Sequence, residues 1–575
     1  MPVIPVNDDA KTSLPAKCEV IIKGTKYSRE IDSLVVKQYI DRHHEAVIRL
    51  SRAAMDATEV EDPDNHTQFL GESISISIKP EKGFGEEEMK FTGLVTEVSF
   101  ENSIDAINVI SIYAKSPTIV MDGARKNAFF SEQKASDLIG STVRAHPITA
   151  GSFDTTKITY RHVLQYNESD YEFIMRLAGT NGLYAFYDGE KFHAIAPNSN
   201  NAVPLSWRQH LGVFSVGLGT SQPEYNSQLF YYEQAKEFKQ DSKSVSQSKS
   251  LSALTDKSPK ASKKIFKDSS YMPVYHHVDD AKSLDEVLKY KRDGAQSKMT
   301  RCAGQSLMPT VKVGRCVQIS GMNQKFDNSY LVTSVTHNFG QGGKYHNNFE
   351  CIPFDIAFPE YNGDRNRGAM IQTGIVTDNA DPEQLGRIKV KFPWVQGDTY
   401  WIRYISSHAG ESHGWYSIPE IGDEVLCAFE MGDPDRPIIL GSLYNSKAVP
   451  PADSQVEENN IKMFLTKGGN KILVRDEGGK EAIEIINAEG KNTIVLETAG
   501  PSIAITSAGD ISISGQNIKI EGTGNVEIKA DSDIKQNAGA NMEIKAGANM
   551  KVEASGTQDV KGAMVNVKGN PINLN

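Results

Sequence analysis

Pairs of apolar residues separated by one polar residue recur throughout the C-terminal part of the chain. Between residues 525 and 560, the apolar positions 526, 534, 542 and 550 follow one another at a constant step of eight residues. Alternation of apolar and polar residues places the apolar side chains on one face of an extended strand. Gly, Asn, Asp or Ser separates most pairs. The pattern therefore predicts short strands joined by tight corners and repeated many times.

The repeat extends over residues 461–575, although its step varies. The pairs beginning at Ile472, Ile483 and Ile494 are 11 residues apart, and from Ile503 onward the step is mostly 7 or 8. The residues predicted to face inward are Ile472, Ile483, Ile494, Ile503, Ile511, Ile518, Val526, Ile528, Ile534, Met542, Ile544, Met550, Val552, Val560, Val565 and Val567.

The length of one repeat limits what it can build. Eight residues reach roughly 26 Å when extended, so one repeat forms one side of a prism and not a full turn. A single chain with two or three repeats per turn would be a solenoid, and three chains supplying one side each would be an intertwined β-helix. Two mostly Ile, Val or Met positions per repeat suit a narrow core, and the GGxGxD repeat of calcium-binding rolls is absent. We favour the intertwined trimer and keep the solenoid as the alternative.

The end of such a needle carries unpaired backbone groups that would recruit other strands. We therefore expect a separate tip protein to dock on Pro571, Ile572, Leu574 and Asn575. The last histidine is His413 and the last cysteine is Cys427, so the needle lacks the usual ligands for a metal point of its own.

The part before the needle reads as mainly β. Residues 72–80 alternate three isoleucines in the manner of a strand, and residues 91–100 and 108–121 follow as further strands. A short helix is expected from an N-cap at Ser131. A second is expected within 165–195, capped by Ser169 or Asp170, with Phe173, Ile174 and Leu177 on its apolar face.

Four regions follow from these patterns. They are residues 1–365, with two barrel-type β subdomains and a flexible Ser/Lys-rich loop at about 239–264; 366–448, a small closed barrel of the oligonucleotide/oligosaccharide-binding (OB) type; 449–460, a linker; and 461–575, the needle. The predicted fold class is therefore mainly β.

Composition changes this interpretation little. The net charge of −11 argues against a nucleic-acid scaffold built on general basicity, and no nucleic-acid partner is expected. No secretory signal and no apolar run long enough for a membrane-spanning helix is visible. The five cysteines are scattered and are expected to be reduced, mostly buried thiols. We expect assembly in a bacterial cytoplasm, and export, if any, by another route.

Candidate chemistry is sparse, so no catalytic, cofactor-binding or metal-binding residues are expected. Asp433 and Asp435 in "GDPDRP" are interpreted as a turn with Arg436 pairing locally, although paired acids are an alternative. The adjacent pairs His43–His44 and His276–His277 are expected at surface or interface positions. Glu190 and His193 could act in acid–base catalysis, but a hairpin turn with strand residues explains their presence equally well.

Five aromatic residues of the barrel region allow two interpretations. They could stack on single-stranded nucleic acid, as in other OB barrels, or form core and trimer contacts, which we favour. The residues are Phe392, Trp394, Tyr400, Trp401 and Trp415.

Longer motifs resemble a known family. The segments "LGRIKVKFPW", "WIRY" and "GWYSIPEIGDEVLCAFEMGDPDRPIILGSLYN" closely resemble the barrel domain of VgrG spike proteins of type VI secretion and related contractile injection systems. The segment "QYNESDYEFIMRL" followed by "GLYAFYDG" resembles the signature of the family's phage-hub-like region. The C-terminal repeats look like its needle, so the resemblance covers nearly the whole chain in the family's order.

The resemblance implies a homotrimer whose hub sits on an inner tube of Hcp-like protein within a baseplate. It also implies a PAAR-repeat tip protein, effector cargo and transient passage through a target membrane. The chain departs from phage members because it has no lysozyme-like insert between barrel and needle, and no fused toxin is expected. Two alternatives stay open: a single-chain β-solenoid adhesin or phage fibre without an injection role, and an enzyme hidden in the N-terminal half.

Overall fold

The computed structural model describes residues 13–27, 31–51, 67–80, 87–101, 109–273, 278, 280–360 and 368–573. These residues fall into two compact units, Met1–Pro450 and Pro451–Asn575, described separately below. The structure is mainly β, as predicted.

The strands of the described residues are β1 (Leu14–Ile22), β2 (Thr25–Tyr27), β3 (Ile31–Tyr39), β4 (Glu45–Ser51), β5 (Ser73–Pro80), β6 (Met89–Glu101), β7 (Val109–Lys115), β8 (Lys126–Lys134), β9 (Ala150–Phe153), β10 (Thr159–Glu168), β11 (Tyr184–Tyr187), β12 (Phe192–Ile195), β13 (Val203–Ser206), β14 (Leu211–Leu218), β15 (Tyr225–Tyr231), β16 (Lys236–Asp241), β17 (Ser270–Tyr271), β18 (Thr300–Ser306), β19 (Cys316–Ser320), β20 (Ser329–Gly340), β21 (Lys344–Pro353), β22 (Gln372–Asp378), β23 (Lys389–Lys391), β24 (Arg403–Tyr404), β25 (Ala409–Gly410), β26 (His413–Gly414), β27 (Glu424–Phe429), β28 (Pro437–Leu443), β29 (Ile461–Leu465), β30 (Lys471–Arg475), β31 (Ala482–Ile486), β32 (Asn492–Glu497) and β33 (Ser502–Ser507). The α-helices are α1 (Ala135–Arg144), α2 (Asp170–Thr180), α3 (Lys257–Ile265) and α4 (Ala281–Ser297). A six-residue 3₁₀ helix occupies Pro117–Asp122, where the sequence predicted a continuation of strand β7.

Eight strands of the first unit close into a barrel. The pairing runs β20–β3–β4–β7–β6–β5–β1–β21, and β21 pairs back onto β20. Ile74, Ile76 and Ile78 of β5 point into the barrel and are at most 2% exposed, which confirms the alternation read from the sequence. Closure leaves no strand edge within the ring, so no backbone group in it is left to recruit another chain.

Strands β20 and β21 also belong to a second barrel. There β19 and β13 continue from β20, while β18 and β14 continue from β21. An isolated bridge between Trp207 and Leu211 brings the outer strands β13 and β14 together. Its core contains fully buried residues such as Leu205 and Tyr330. The two barrels therefore share strands β20 and β21.

Helices α1 and α2 pack with two small sheets, β8–β10 and β9–β12–β11, around a separate core. The α2 residues Phe173, Ile174 and Leu177 are at most 1% exposed, as predicted. Ser169 begins α2 with a capping box: its hydroxyl accepts from the Glu172 N–H and the Glu172 carboxylate accepts from the Ser169 N–H. The predicted cap at Ser131 was wrong, because Ser131 lies inside β8 and α1 begins at Ala135.

The Ser/Lys-rich segment 239–264 is not a continuous loop. It begins within strand β16 and ends in helix α3, whose residues Ser258, Pro259 and Ser262 are buried. Small side chains let this helix face approach its neighbours closely, a packing signal that the high lysine and serine content hid. The lysines of α3 face solvent.

The OB region also forms a closed barrel, as predicted. Its sheet runs β23–β22–β27–β28–β24. Ile388, just before β23, and Ile402, just before β24, exchange two backbone hydrogen bonds of 3.0 Å. This bridge joins the two ends of the sheet around a core that includes Val390 and Val425. Among the described residues, no helix is long and apolar enough to cross a membrane.

In the second unit, residues 461–507 form an antiparallel meander of five strands, β29–β30–β31–β32–β33. The 11-residue spacing of Ile472, Ile483 and Ile494 therefore reflects consecutive strands with long turns. The structure places the start of the regular eight-residue repeats at residue 508, later than the predicted Ile461.

The capping box gives a test of the hub fold. Replacing Ser169 with Ala removes the cap of α2 and a hydrogen bond to Asp122, and we expect a loss of about 1–2 kcal/mol of stability. Chemical denaturation followed by circular dichroism measures this loss.

The matched control is Ser131→Ala, which alters an exposed strand residue and should change stability by less than about 0.5 kcal/mol. Equal effects of the two substitutions would contradict the assigned cap.

Candidate assembly surface

The meander of the second unit presents apolar residues on one face. Antiparallel registers align them in two ladders across the sheet: Phe464–Ile472–Ile485–Ile494–Ile505 and Val474–Ile483–Leu496–Ile503. Apart from Val474, these side chains are between 38% and 72% exposed. A sheet with one apolar face tends to cover that face, and most of these side chains are more than a third exposed in one chain.

Residues 508–573 continue as a series of extended segments. The chain bends at 508–509, 516, 523–524, 531–532, 539–540, 547–548, 555–556, 563 and 570–571. Successive bends begin seven or eight residues apart, so each repeat is an extended segment of about six residues and a corner. This is the geometry that the apolar spacing predicted.

The extended segments lack the pairing that defines a sheet. Within described residues 510–573 no backbone N–H is hydrogen-bonded to a backbone carbonyl, and no strand is assigned. Each extended residue carries one donor and one acceptor that must be satisfied by water or by another strand. A single chain leaves this long series of backbone groups open.

The apolar side chains of the repeats recur in a similar environment as well as at a regular spacing. Ile511, Ile518, Val526, Ile534, Met542 and Met550 are all 55–57% exposed. The apolar partners two residues on, Ile513, Ile520, Ile528, Ile544 and Val552, are 59–73% exposed. Near-constant exposure over six repeats indicates that every repeat presents its apolar residues in the same way.

The alternate positions of the repeats are charged. Ion pairs join Lys519 to Glu521, Lys535 to Asp533, Lys545 to Glu543, Lys551 to Glu553 and Lys561 to Asp559. Each pair spans two residues and so lies on the face opposite the apolar side chains. Exposed pairs add little stability individually, but they give this face a strong preference for water.

All sixteen residues predicted to face inward are among the described residues. Ile472, Ile483, Ile494 and Ile503 lie on the meander face, and the others lie along the repeats. Of the predicted tip residues, Ile572 is 46% exposed and Pro571 is exposed, whereas Leu574 and Asn575 lie outside the described residues.

The OB barrel is joined to the hub through the turn that contains Asp433 and Asp435. The Asp435 carboxylate accepts a hydrogen bond from the Leu164 N–H at 2.6 Å. Its carbonyl accepts from His162 Nε2 at 2.6 Å and from the Tyr400 hydroxyl at 3.1 Å. The turn interpretation is confirmed, with Arg436 paired to Glu430, but the turn also anchors one domain to the other.

A second junction is centred on Arg387, whose side chain is 4% exposed. Its guanidinium donates two hydrogen bonds to Asp381, at 2.8 and 2.9 Å, and one to Glu233 of the hub at 3.0 Å. Burial alone would raise the pKa of Asp381, but hydrogen bonds from Arg387 and from backbone N–H groups hold that pKa at about 2. The charged triad therefore stays ionised in a water-poor environment.

Neither junction was predicted from the sequence. Arg387 and Asp435 lie inside the quoted motifs, but their partners Glu233 and Leu164 are more than 150 residues away in the chain. A buried arginine within an apolar strand pattern was the available signal. Nothing local indicated which acid it pairs with.

The other candidate chemical residues take structural roles. His44 is fully buried and His43 is mostly buried, so neither lies at the surface, which was one of the two expected positions; His276 and His277 lie outside the described residues. Glu190 pairs with Lys90 and His193 with Asp188, on the predicted hairpin β11–β12. Among the described residues, no group of three or more His, Cys, Asp or Glu could hold a metal.

Four of the five barrel aromatics are engaged inside the first unit. Phe392 lies in the barrel core with Trp394 stacked on it, and Tyr400 stacks on His162 at 3.4 Å between ring centroids. Lys389 covers Trp401, and Trp415 is 55% exposed. This arrangement leaves no continuous platform of these rings for stacking bases.

Comparison with known families agrees with the double-barrel hub and the OB barrel. Residues 44–343, more than half of the chain, match the phage tail baseplate hub (GPD) family. Residues 372–444 match the type VI secretion system/phage-baseplate injector OB domain. The chain belongs to the phage tail baseplate hub family, and the VgrG resemblance seen in the sequence is confirmed.

Individual relatives support the same assignment. The type VI secretion system spike protein VgrG1c of Pseudomonas aeruginosa is 27% identical over 423 residues, covering 64% of this chain and 55% of VgrG1c. The chain thus spans a little over half the length of the curated relatives it matches.

Solved structures share the fold at low identity. A Francisella PdpA–VgrG complex aligns with a TM-score of 0.56 at 10% identity, covering 87% of this chain and 81% of that one. The E. coli c3393 protein, described as a type VI secretion component similar to T4 tail proteins gp27 and gp5, has a TM-score of 0.50 at 14% identity. That alignment covers 74% of this chain and 99% of c3393.

The Arg387 junction gives a second prediction. Arg387→Ala leaves the buried carboxylates of Asp381 and Glu233 without their shared cation, and we expect a loss of about 3–5 kcal/mol. Equilibrium denaturation of the full chain measures it. The control is Arg42→Ala, which breaks an exposed pair with Asp41 and should cost less than about 1 kcal/mol. A small effect at Arg387 would mean that water replaces its bonds.

The same junction predicts a response to acid. Asp381 has a folded pKa of about 2 and an unfolded pKa near 3.9, so its contribution is present above about pH 4 and is lost as the pH falls toward 2. The unfolding midpoint, measured from pH 5 to pH 2, should fall less steeply for Asp381→Asn than for the native chain. Identical slopes would contradict the depressed pKa.

Proposed function

We propose that this chain is the structural hub-and-spike subunit of a contractile injection system and that it works as a homotrimer. The observation that carries the proposal is the run of extended repeats at 508–573, which exposes one apolar row and leaves its backbone unpaired within one chain. Three such chains can satisfy one another, because each supplies one side of a three-sided prism.

Association of three chains would account for both the exposed apolar row and the unpaired backbone groups of the repeats. Winding three chains about one axis lets the extended segments of neighbouring chains exchange backbone hydrogen bonds, and it turns the apolar row toward the axis. Burial of apolar area contributes roughly 25 cal/mol per Å². The charged alternate positions, such as Lys545 and Glu543, then remain in water.

This architecture suits mechanical work. Intertwined strands cannot slide apart without unwinding, so a needle of this kind is stiff along its axis. We infer that the double-barrel hub seats the trimer on an inner tube and baseplate, and that the OB barrel forms the neck. A contracting sheath supplies the energy, so the spike needs no catalytic site.

The partners follow from the same model. A PAAR-type tip protein would cover the last repeats around Pro571 and Ile572, and effectors would travel with the spike. The subunit would be assembled in the bacterial cytoplasm and delivered outside the cell within the injection particle. The related VgrG1c and VgrG1a, both type VI secretion system spike proteins, support this role.

The association state tests the proposal. Light scattering after size-exclusion chromatography of the full chain should give the mass of three chains, and the mass should persist on dilution. Ile544→Asp would place three carboxylates around the axis and lose a buried isoleucine per chain, at roughly 2–5 kcal/mol each, so the trimer should weaken or dissociate.

Lys545→Asp is the matched control, because it introduces the same residue one position along, on the charged face. It should leave the trimer intact. A stable monomer of the native chain would instead support the single-chain solenoid or fibre. Equal sensitivity at positions 544 and 545 would overturn the inward assignment.

A further inference from the structure

Two cysteines occupy directly opposed positions in the second hub barrel. Cys302 of β18 is the antiparallel partner of Cys351 of β21. Both belong to the same buried core, and they are 3% and 1% exposed. Side chains of directly opposed residues project from the same face of the sheet, so the two thiols are neighbours.

Both cysteines are also among the residues that form the wall of a groove on the first unit. The groove has a volume of about 1120 Å³, and its walls include Met175, Tyr184 and Phe358. A groove of this size is large enough to admit a small molecule. The cysteine pair is thus buried from bulk water but borders a space that a small reagent can enter.

Cross-strand geometry meets the requirements of a disulfide. Directly opposed Cβ atoms in an antiparallel pair lie about 4.5–5.5 Å apart. A disulfide needs Cα atoms about 4.4–6.8 Å apart and Cβ atoms about 3.5–4.5 Å apart. The antiparallel register brings the two Cα atoms into the range that a disulfide needs. A small movement of the side chains brings the two Cβ atoms into theirs.

We propose that Cys302 and Cys351 form an oxidisable thiol pair, closed to a cross-strand disulfide by a small-molecule disulfide that enters the groove. One thiolate attacks the small disulfide, forms a mixed disulfide and releases one small thiol. The second cysteine attacks that mixed disulfide and releases the other small thiol. Two protein thiols are oxidised, one small disulfide is reduced to two thiols, and the two protons lost by the protein thiols end on the released small thiols.

The remaining cysteines lack this arrangement. Cys18 is opposed by Ile78, Cys316 by Leu331, and Cys427 by Gln372 and Ile439. Each is buried and reduced. Opposition of two thiols in register therefore distinguishes one pair among the five cysteines.

The chemical environment sets the rate of the reaction. Burial, together with the neighbouring Cys302 thiol, raises the pKa of Cys351 well above its usual value. The thiolate is the attacking species, so attack by Cys351 should be slow near neutral pH and faster as the pH rises. Slow reaction would keep the hub reduced during folding.

The test uses the folded full-length chain incubated with oxidised glutathione at several pH values. Peptide mapping by mass spectrometry should find one peptide pair linking Cys302 to Cys351, with the loss of two of the five thiols. The linkage should form faster at higher pH, and a reducing agent should reverse it.

Three variants separate the outcomes. Cys302→Ser and Cys351→Ser should each abolish the linkage, while Cys427→Ser, a buried cysteine without an opposed thiol, should leave it unchanged. A stable glutathione adduct on one cysteine, or retention of all thiols by the folded protein, would overturn the proposal. Linkage that appears only after denaturation would also overturn it, because it would show that the groove gives no access.

Discussion

An extended chain in water carries one unsatisfied donor and one unsatisfied acceptor at nearly every residue, and this constraint organises the whole molecule. The hub satisfies it by closing strands into rings, so that the barrel formed by strands β1, β3–β7, β20 and β21 has no edge. The OB barrel does the same through the bridge between Ile388 and Ile402. The repeats at 508–573 have no such closure within one chain, and in the proposed trimer neighbouring chains would supply their backbone partners.

Strands β20 and β21 belong to both barrels. β21 pairs with β20 along one side and with β1 and then β18 along the other, so a change in its register would move two cores at once. Register is strongly specified where side chains are buried on one face. Phe349 and Tyr345 are fully buried on this strand, one in each core. Sharing strands therefore makes the two barrels one rigid hub.

The junction between hub and OB barrel includes buried polar and charged groups beside its ring contacts. Arg387 bridges Asp381 and Glu233, and Asp435 gathers hydrogen bonds from Leu164, His162 and Tyr400. Buried charges of this kind tolerate only one geometry, since an unpaired member would be costly. They therefore hold the two domains in one orientation, which a purely apolar contact would specify less strictly.

The sequence by itself determined the periodic elements of this protein. Alternating Ile74, Ile76 and Ile78, the capping residues Ser169 and Glu172, and the step of eight from Val526 to Met550 are local patterns, and each was confirmed as a strand, a cap or a bend. The 11-residue spacing of Ile472, Ile483 and Ile494 was less informative, because a meander and a β-helix share the same alternation. The cap at Ser131 was predicted wrongly and helix α3 was not predicted. The local sequence of these segments does not show which residues pack against them. Ring closure, the shared strands and the pairing of Arg387 with Glu233 were decided only by the tertiary structure. Each of them joins residues far apart in the chain, and no local pattern encodes which distant strand or charge will be the partner.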